Sequence, residues 1–126
     1  MRLILAVAIA ALAAGAAAAP RVEVVGTPPP FTYWAPTGAR IEPHPTNPGV
    51  WISKGPGGQT RYYFGDACGA SKMQSFVGRK LDALPPRPAG AEWRFIDGAH
   101  NQDLRFGRLN VFHDAKTRVI TEIACH

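Results

Sequence analysis

The spacing of apolar residues divides the chain into a continuous apolar head, a proline-broken leader, and a regular segment that begins helical and ends alternating. The head, residues 1–19, carries one base (Arg2), an apolar run from Leu3 to Leu12 and a small-residue tract from Ala13 to Ala19. That three-part pattern predicts a cleaved secretory signal peptide. A membrane anchor is the poorer reading, because Gly15 and the alanines make a weak span that ends at Pro20. Nine of the 12 prolines lie between Pro20 and Pro56, which prevents a long helix and predicts an extended, loosely packed leader over 20–65. Within it, residues 50–54 and 60–64 are β-prone runs on either side of a Gly- and Pro-containing stretch, the signal of a hairpin over 50–64.

The pattern changes at Asp66. Residues 67–76 predict a short helix with Ala70, Met73, Phe76 and Val77 on one face, interrupted by Gly78. A turn through Leu81 and Leu84 follows, stopped by Pro85 and Pro86. Residues 91–96 alternate, with Trp93 and Phe95 on one side. Residues 108–113 alternate again, Leu109 and Val111 facing one way and Arg108, Asn110 and Phe112 the other. After a turn at 114–117, the β-branched run 118–125 predicts a closing antiparallel strand. The expected fold class is α+β: a short N-terminal helix packed on a small mixed β-sheet, with one long exposed binding loop and one disulfide, over 66–126.

Length and composition narrow the function classes. Of 126 residues, about 105 remain after signal cleavage, enough for one core. With 18% charged and 46% hydrophobic residues, the chain is neither charge-driven disorder nor, past residue 19, an apolar span. Net charge is +5, and its bases are spread without a run of five or six, which argues against a nucleic-acid partner. Cys68 and Cys125 are the only cysteines, so in an oxidising compartment one disulfide is expected. Such a bridge stabilises by roughly 4 kcal/mol in the chain-entropy treatment. Cys125 and His126 lack the paired spacing of a zinc site, so neither metal nor cofactor is expected. His113 and Asp114 have no Gly-x-Ser-x-Gly or Cys-His arrangement beside them, and the chain reads as a non-enzyme.

One segment exceeds a plain turn. Ten residues, 98–107, join the two alternating runs, where neighbouring strands need only about 2 to 6. If they fold over the polar face of the following strand, Arg108 reaches Asp103 and the side-chain amide of Asn101 by charge-assisted hydrogen bonds. An extended loop braced in this way loses little entropy on binding.

The run Asn101-Gln102-Asp103-Leu104-Arg105-Phe106-Gly107-Arg108-Leu109-Asn110-Val111-Phe112 resembles the binding loop and following strand of potato-type-I serine protease inhibitors, which include leech eglins and barley inhibitors. The frame is similar to their disulfide-bearing bacterial and fungal relatives: Cys68, then Phe76-Val77-Gly78-Arg79, Trp93 to Ile96, the loop, Arg108-Leu109-Asn110-Val111, and Cys125. Residues 20–65 have no counterpart in it.

The resemblance implies a reactive loop of Asn101, Gln102, Asp103, Leu104 and Arg105, with Gln102 entering the protease's primary pocket and Gln102-Asp103 as the scissile bond. It implies Arg108 and Asn110 as loop supports. The partner implied is a subtilisin- or chymotrypsin-like serine protease, engaged by a monomeric periplasmic or secreted inhibitor. Two departures stand out: Gln102 replaces the family's apolar residue, and the arm before the loop is one or two residues shorter. They favour the alternative, a non-inhibitory envelope or secreted binding protein that retains the inhibitor fold.

Overall fold

A computed structural model describes Gly15, residues 20–24 and residues 26–126. Apart from Gly15, the expected signal peptide lies outside the described residues, and none of the described helices is long and apolar enough to cross a membrane.

The proline-rich leader is not a loose appendage. It forms a four-stranded sheet in the order β1 (Glu23–Val24), β2 (Arg40–Pro43), β3 (Trp51–Lys54), β4 (Thr60–Tyr63). β1 runs parallel to β2, and the other neighbours are antiparallel, with Trp51 opposite Tyr63 and Lys54 opposite Thr60. Prolines sit where a ladder tolerates them, in loops and at the end of β2. Trp34, Ile41 and Tyr63 form its buried cluster, with Trp34 stacked on Tyr63 at 5.4 Å. The Trp34 indole N–H donates to the Phe31 carbonyl at 2.8 Å, which gives the polar group of that buried ring a partner.

The α+β expectation is overturned. In place of an α-helix, Ala70–Phe76 winds as a 3-10 helix, and a second 3-10 turn covers Leu81–Ala83. The setting is local: Gly69, at φ 76°, and Gly78, at φ 89°, bound a run so short that an α-helix is marginal in it, and i→i+3 bonds close its turns instead. Ala70, Met73 and Phe76 are spaced by three, the 3-10 period, and all pack on the core, while Val77, placed on that face by an α-helical period, is exposed. The Asp66 carboxylate accepts from the Ser71 N–H at 2.8 Å and its hydroxyl at 2.6 Å, closing the start of the segment.

A second, mixed sheet orders β5 (Glu92–Ile96), β6 (Arg108–His113) and β7 (Ile120–Cys125), with β6 central. β5 is parallel to β6, and β7 antiparallel. Leu109 and Val111 of β6 meet Ile120, Ile123, Cys125 and Ala70 in the second core cluster. Cys68 is joined to Cys125 with Cα atoms 5.6 Å apart, so the 3-10 segment is tied covalently to β7. Tyr33 packs against both clusters, and Arg61 of β4 pairs with Glu122 of β7 at 2.9 Å.

Parallel pairing also explains the long connection. Residues 97–107 must return the chain from the end of β5 to the start of β6, a distance set by five residues of strand at about 3.3 Å each. Its length is a topological requirement, and the loop owes its distinctive chemistry to what holds it.

Candidate functional site

The parallel register sets Glu92 beside Arg108 and Arg94 beside Asn110 at the strand ends under the loop. Both faces of β6 are buried from Arg108 to Val111, because the apolar side meets the core and the polar side is covered by loop 97–107 and His126. Arg108 is 5% exposed and Asn110 0%, while every residue from 101 to 107 is exposed. A buried polar layer carries an exposed loop.

Asp103 is the point where that layer grips. Arg108 donates through Nη1 to Oδ2 at 3.1 Å and through Nη2 to Oδ1 at 3.3 Å, and Nη2 also donates to the Asp103 carbonyl at 2.9 Å. Backbone and side chain are therefore held by one planar guanidinium, a geometry lysine lacks. Arg94 Nη1 adds a bond to Asp103 Oδ1 at 3.1 Å and a longer one to the Asn101 carbonyl at 3.4 Å. Arg105 Nη1 donates to Glu92 Oε1 at 2.7 Å, pinning the loop to the first residue of β5, while its Nε lies 3.6 Å from Asp103 Oδ2. The Arg108 hydrogen bonds, with help from Arg94, hold the Asp103 carboxyl down at about 2.

The second layer fixes the guanidinia. Asn110 Oδ1 accepts from Arg94 Nε at 3.0 Å, and Asn110 Nδ2 donates to the His126 carbonyl and lies 3.1 Å from His126 Nδ1. Arg108 Nε reaches the same carbonyl at 3.3 Å. The His126 ring is half-buried against Phe112, Phe64 and His100. Burial first, then the nearby His100, Arg94 and Arg108, pushes its pKa below the ordinary histidine value.

Comparison with protein-family models, with curated proteins and with solved structures found no match.

The geometry alters the sequence-based assignments in three ways. Arg108 bonds to Asp103 but not to the side-chain amide of Asn101, and only the backbone carbonyl of Asn101 is reached, from Arg94. Gln102, Leu104 and Arg105 all lie along the exposed loop, but Arg105 is tied to Glu92 rather than left free for contact. Arg94, Glu92 and His126 belong to the site although no motif marks them. The alternation of Glu92 and Arg94 with Trp93 and Phe95 marks one polar face, but only the parallel register sets that face beside Asn110.

A separate open cleft of about 480 Å³ at the His113 end of β6 is lined by Leu81, Asp82, Phe95, Asp97, His113 and Arg118. It does not include the clamped loop, and among the described residues no group of three or more His, Cys, Asp or Glu is placed to hold a metal ion.

Proposed function

We propose that the protein is an exported serine protease inhibitor that presents residues 101–105 as a substrate-like loop, with Gln102-Asp103 as the scissile bond. The observation that carries this reading is the clamp of Arg108 and Arg94 on Asp103, on both its carboxylate and, through Arg108, its carbonyl. The Cys68–Cys125 disulfide supports an oxidising destination, periplasm or medium.

The mechanism follows from what is held. The protease serine attacks the Gln102 carbonyl, forming an acyl-enzyme and freeing the Asp103 amine. In an ordinary substrate that amine diffuses away and water completes hydrolysis. Here the guanidinium bonds keep residue 103 at the site, so the amine attacks the acyl-enzyme and restores the peptide bond faster than water arrives. No side chain of the inhibitor acts as a catalyst in this reading, and the partner supplies the chemistry.

The test is titration of the oxidised protein against subtilisin, trypsin, chymotrypsin and elastase, with mass analysis of the products. Tight inhibition with slow cleavage between Gln102 and Asp103 is the expected result. Rapid cleavage or no inhibition by all four overturns it and favours a non-inhibitory binding protein.

A further inference from the structure

The leaving side of the loop continues into a row of aromatic rings on the first sheet. Phe106 stacks on Phe64 with centroids 5.8 Å apart and planes 21° apart. Phe64 in turn stacks on Tyr62 at 6.2 Å and 18°, and Tyr62 meets His44 at 6.3 Å. Tyr62, Leu104 and Phe106 are 47%, 55% and 49% exposed, three of the five large hydrophobic side chains left open among the described residues. A single exposed ring is ordinary, but a contiguous apolar row beside a clamped loop marks a surface that another molecule covers.

The occupant follows from continuity and area. Phe106 belongs to both the loop and the row, and the exposed Leu104 lies two residues before it, so a molecule that grips the loop beyond residue 103 meets the row next. A stable interface covers about 800 Å² per partner, roughly 20 residues, more than a five-residue loop supplies. The flanking cations are already paired, Arg105 with Glu92 at 2.7 Å and Arg61 with Glu122 at 2.9 Å, which leaves the surface apolar rather than basic. Tyr62 is on β4, the terminal strand of its sheet, one residue from the buried Tyr63 and so facing away from the Trp34 cluster.

We infer that Tyr62, Phe64, Phe106 and Leu104 form a docking surface for the leaving-group side of the same protease that the loop engages. The inference rests on the inhibitor reading and gives residues 20–65 a role in it: their sheet extends the contact beyond the loop. Aromatic anchors next to a rigid loop contribute mainly by slowing dissociation.

The experiment takes whichever of the four proteases is inhibited most tightly and compares the wild type with Tyr62→Thr and Tyr62→Phe. Threonine keeps the strand and removes the ring. Tyr62→Thr is expected to raise the inhibition constant about tenfold, chiefly through faster dissociation, while Tyr62→Phe stays near the wild type. Hydrogen exchange at 101–105 in the free Thr variant is expected to match the wild type. An inhibition constant for Tyr62→Thr within about twofold of wild type overturns the docking surface alone. Weaker inhibition accompanied by faster loop exchange also overturns it, since Tyr62 then braces the loop. Failure of the wild type to inhibit any of the four overturns this inference together with the inhibitor reading.

Discussion

Asn110 is the residue on which the polar layer turns. It is fully buried and uses both ends of its amide, taking a bond from Arg94 Nε and giving one to His126. Replacing a buried amide by a hydrocarbon of similar size is neutral only when its partners go too, and here Arg94 Nε and the His126 carbonyl stay behind. Asn110→Leu is therefore expected to destabilise by about 2 kcal/mol, read from the urea midpoint, despite its gain in apolar volume. Arg108 acts differently, because the group it holds is exposed. Arg108→Ala should leave a folded protein whose residue 103 is no longer held. Incubated with a protease that the wild type inhibits, it is expected to be cut after Gln102 at least about tenfold faster, as mass analysis shows. Equal cleavage rates for the two proteins would remove Arg108 from the support role.

At the scale of elements, the loop and the β6–β7 hairpin store different things. Loop order depends on two groups whose folded pKa values lie below their ordinary ones: His126, through burial first, and Asp103, through the Arg108 bonds first. A depressed folded pKa means that the unfolded chain binds the proton more readily, so the contribution is present at high pH and lost as pH falls. Hydrogen exchange at 101–105 is expected to quicken in two stages. The first comes as pH falls through the lowered pKa of His126, where protonated Nδ1 opposes the Asn110 amide. The second falls between about 3.8 and about 2, where Asp103 loses its charge. His126→Gln should abolish the first stage and leave the second. The hairpin holds backbone strain instead. Asp114 Oδ1 accepts from the backbone N–H groups of Lys116 and Thr117, and the turn that results leaves Arg118 at φ 62°, a left-handed conformation. Arg118→Gly is expected to raise stability by up to about 1 kcal/mol by thermal unfolding, the relief of strain exceeding glycine's entropic cost.

At the scale of the whole molecule, the two sheets are in contact through shared side chains. Tyr33 lies in both clusters, and the rings of Phe64, Phe106 and His126 cross between the sheets. Tryptophan fluorescence reports each sheet separately, since Trp34 and Trp51 belong to the first cluster and Trp93 to the second. Single-tryptophan variants are expected to unfold at the same denaturant concentration, and separated midpoints would show independent domains. The disulfide spans 57 residues, all within the second sheet and its 3-10 segment. Cys68→Ser with Cys125→Ser is expected to lower stability by about 4 kcal/mol and, through that coupling, to shift the midpoint of both reporters together.

Local signals in the sequence determined much of the second half. Alternation placed Leu109 and Val111 inward, the turn residues at 114–117 announced a hairpin, and two lone cysteines called for one bridge. Each follows from periods and backbone preferences that act over a few residues. The kind of helix was also written there, since Ala70, Met73 and Phe76 are spaced by three between two glycines, whereas an α-helical period adds the exposed Val77 to their face. What only the tertiary structure decided was pairing over distance. Whether β5 runs parallel to β6, whether the leader makes a sheet with its own core, and whether Arg94 and His126 join Arg108 under the loop depend on residues far apart in the chain. Alternation says which side chains share a face, but the hydrogen-bond register between strands says which faces meet, and that register is settled by the packed core.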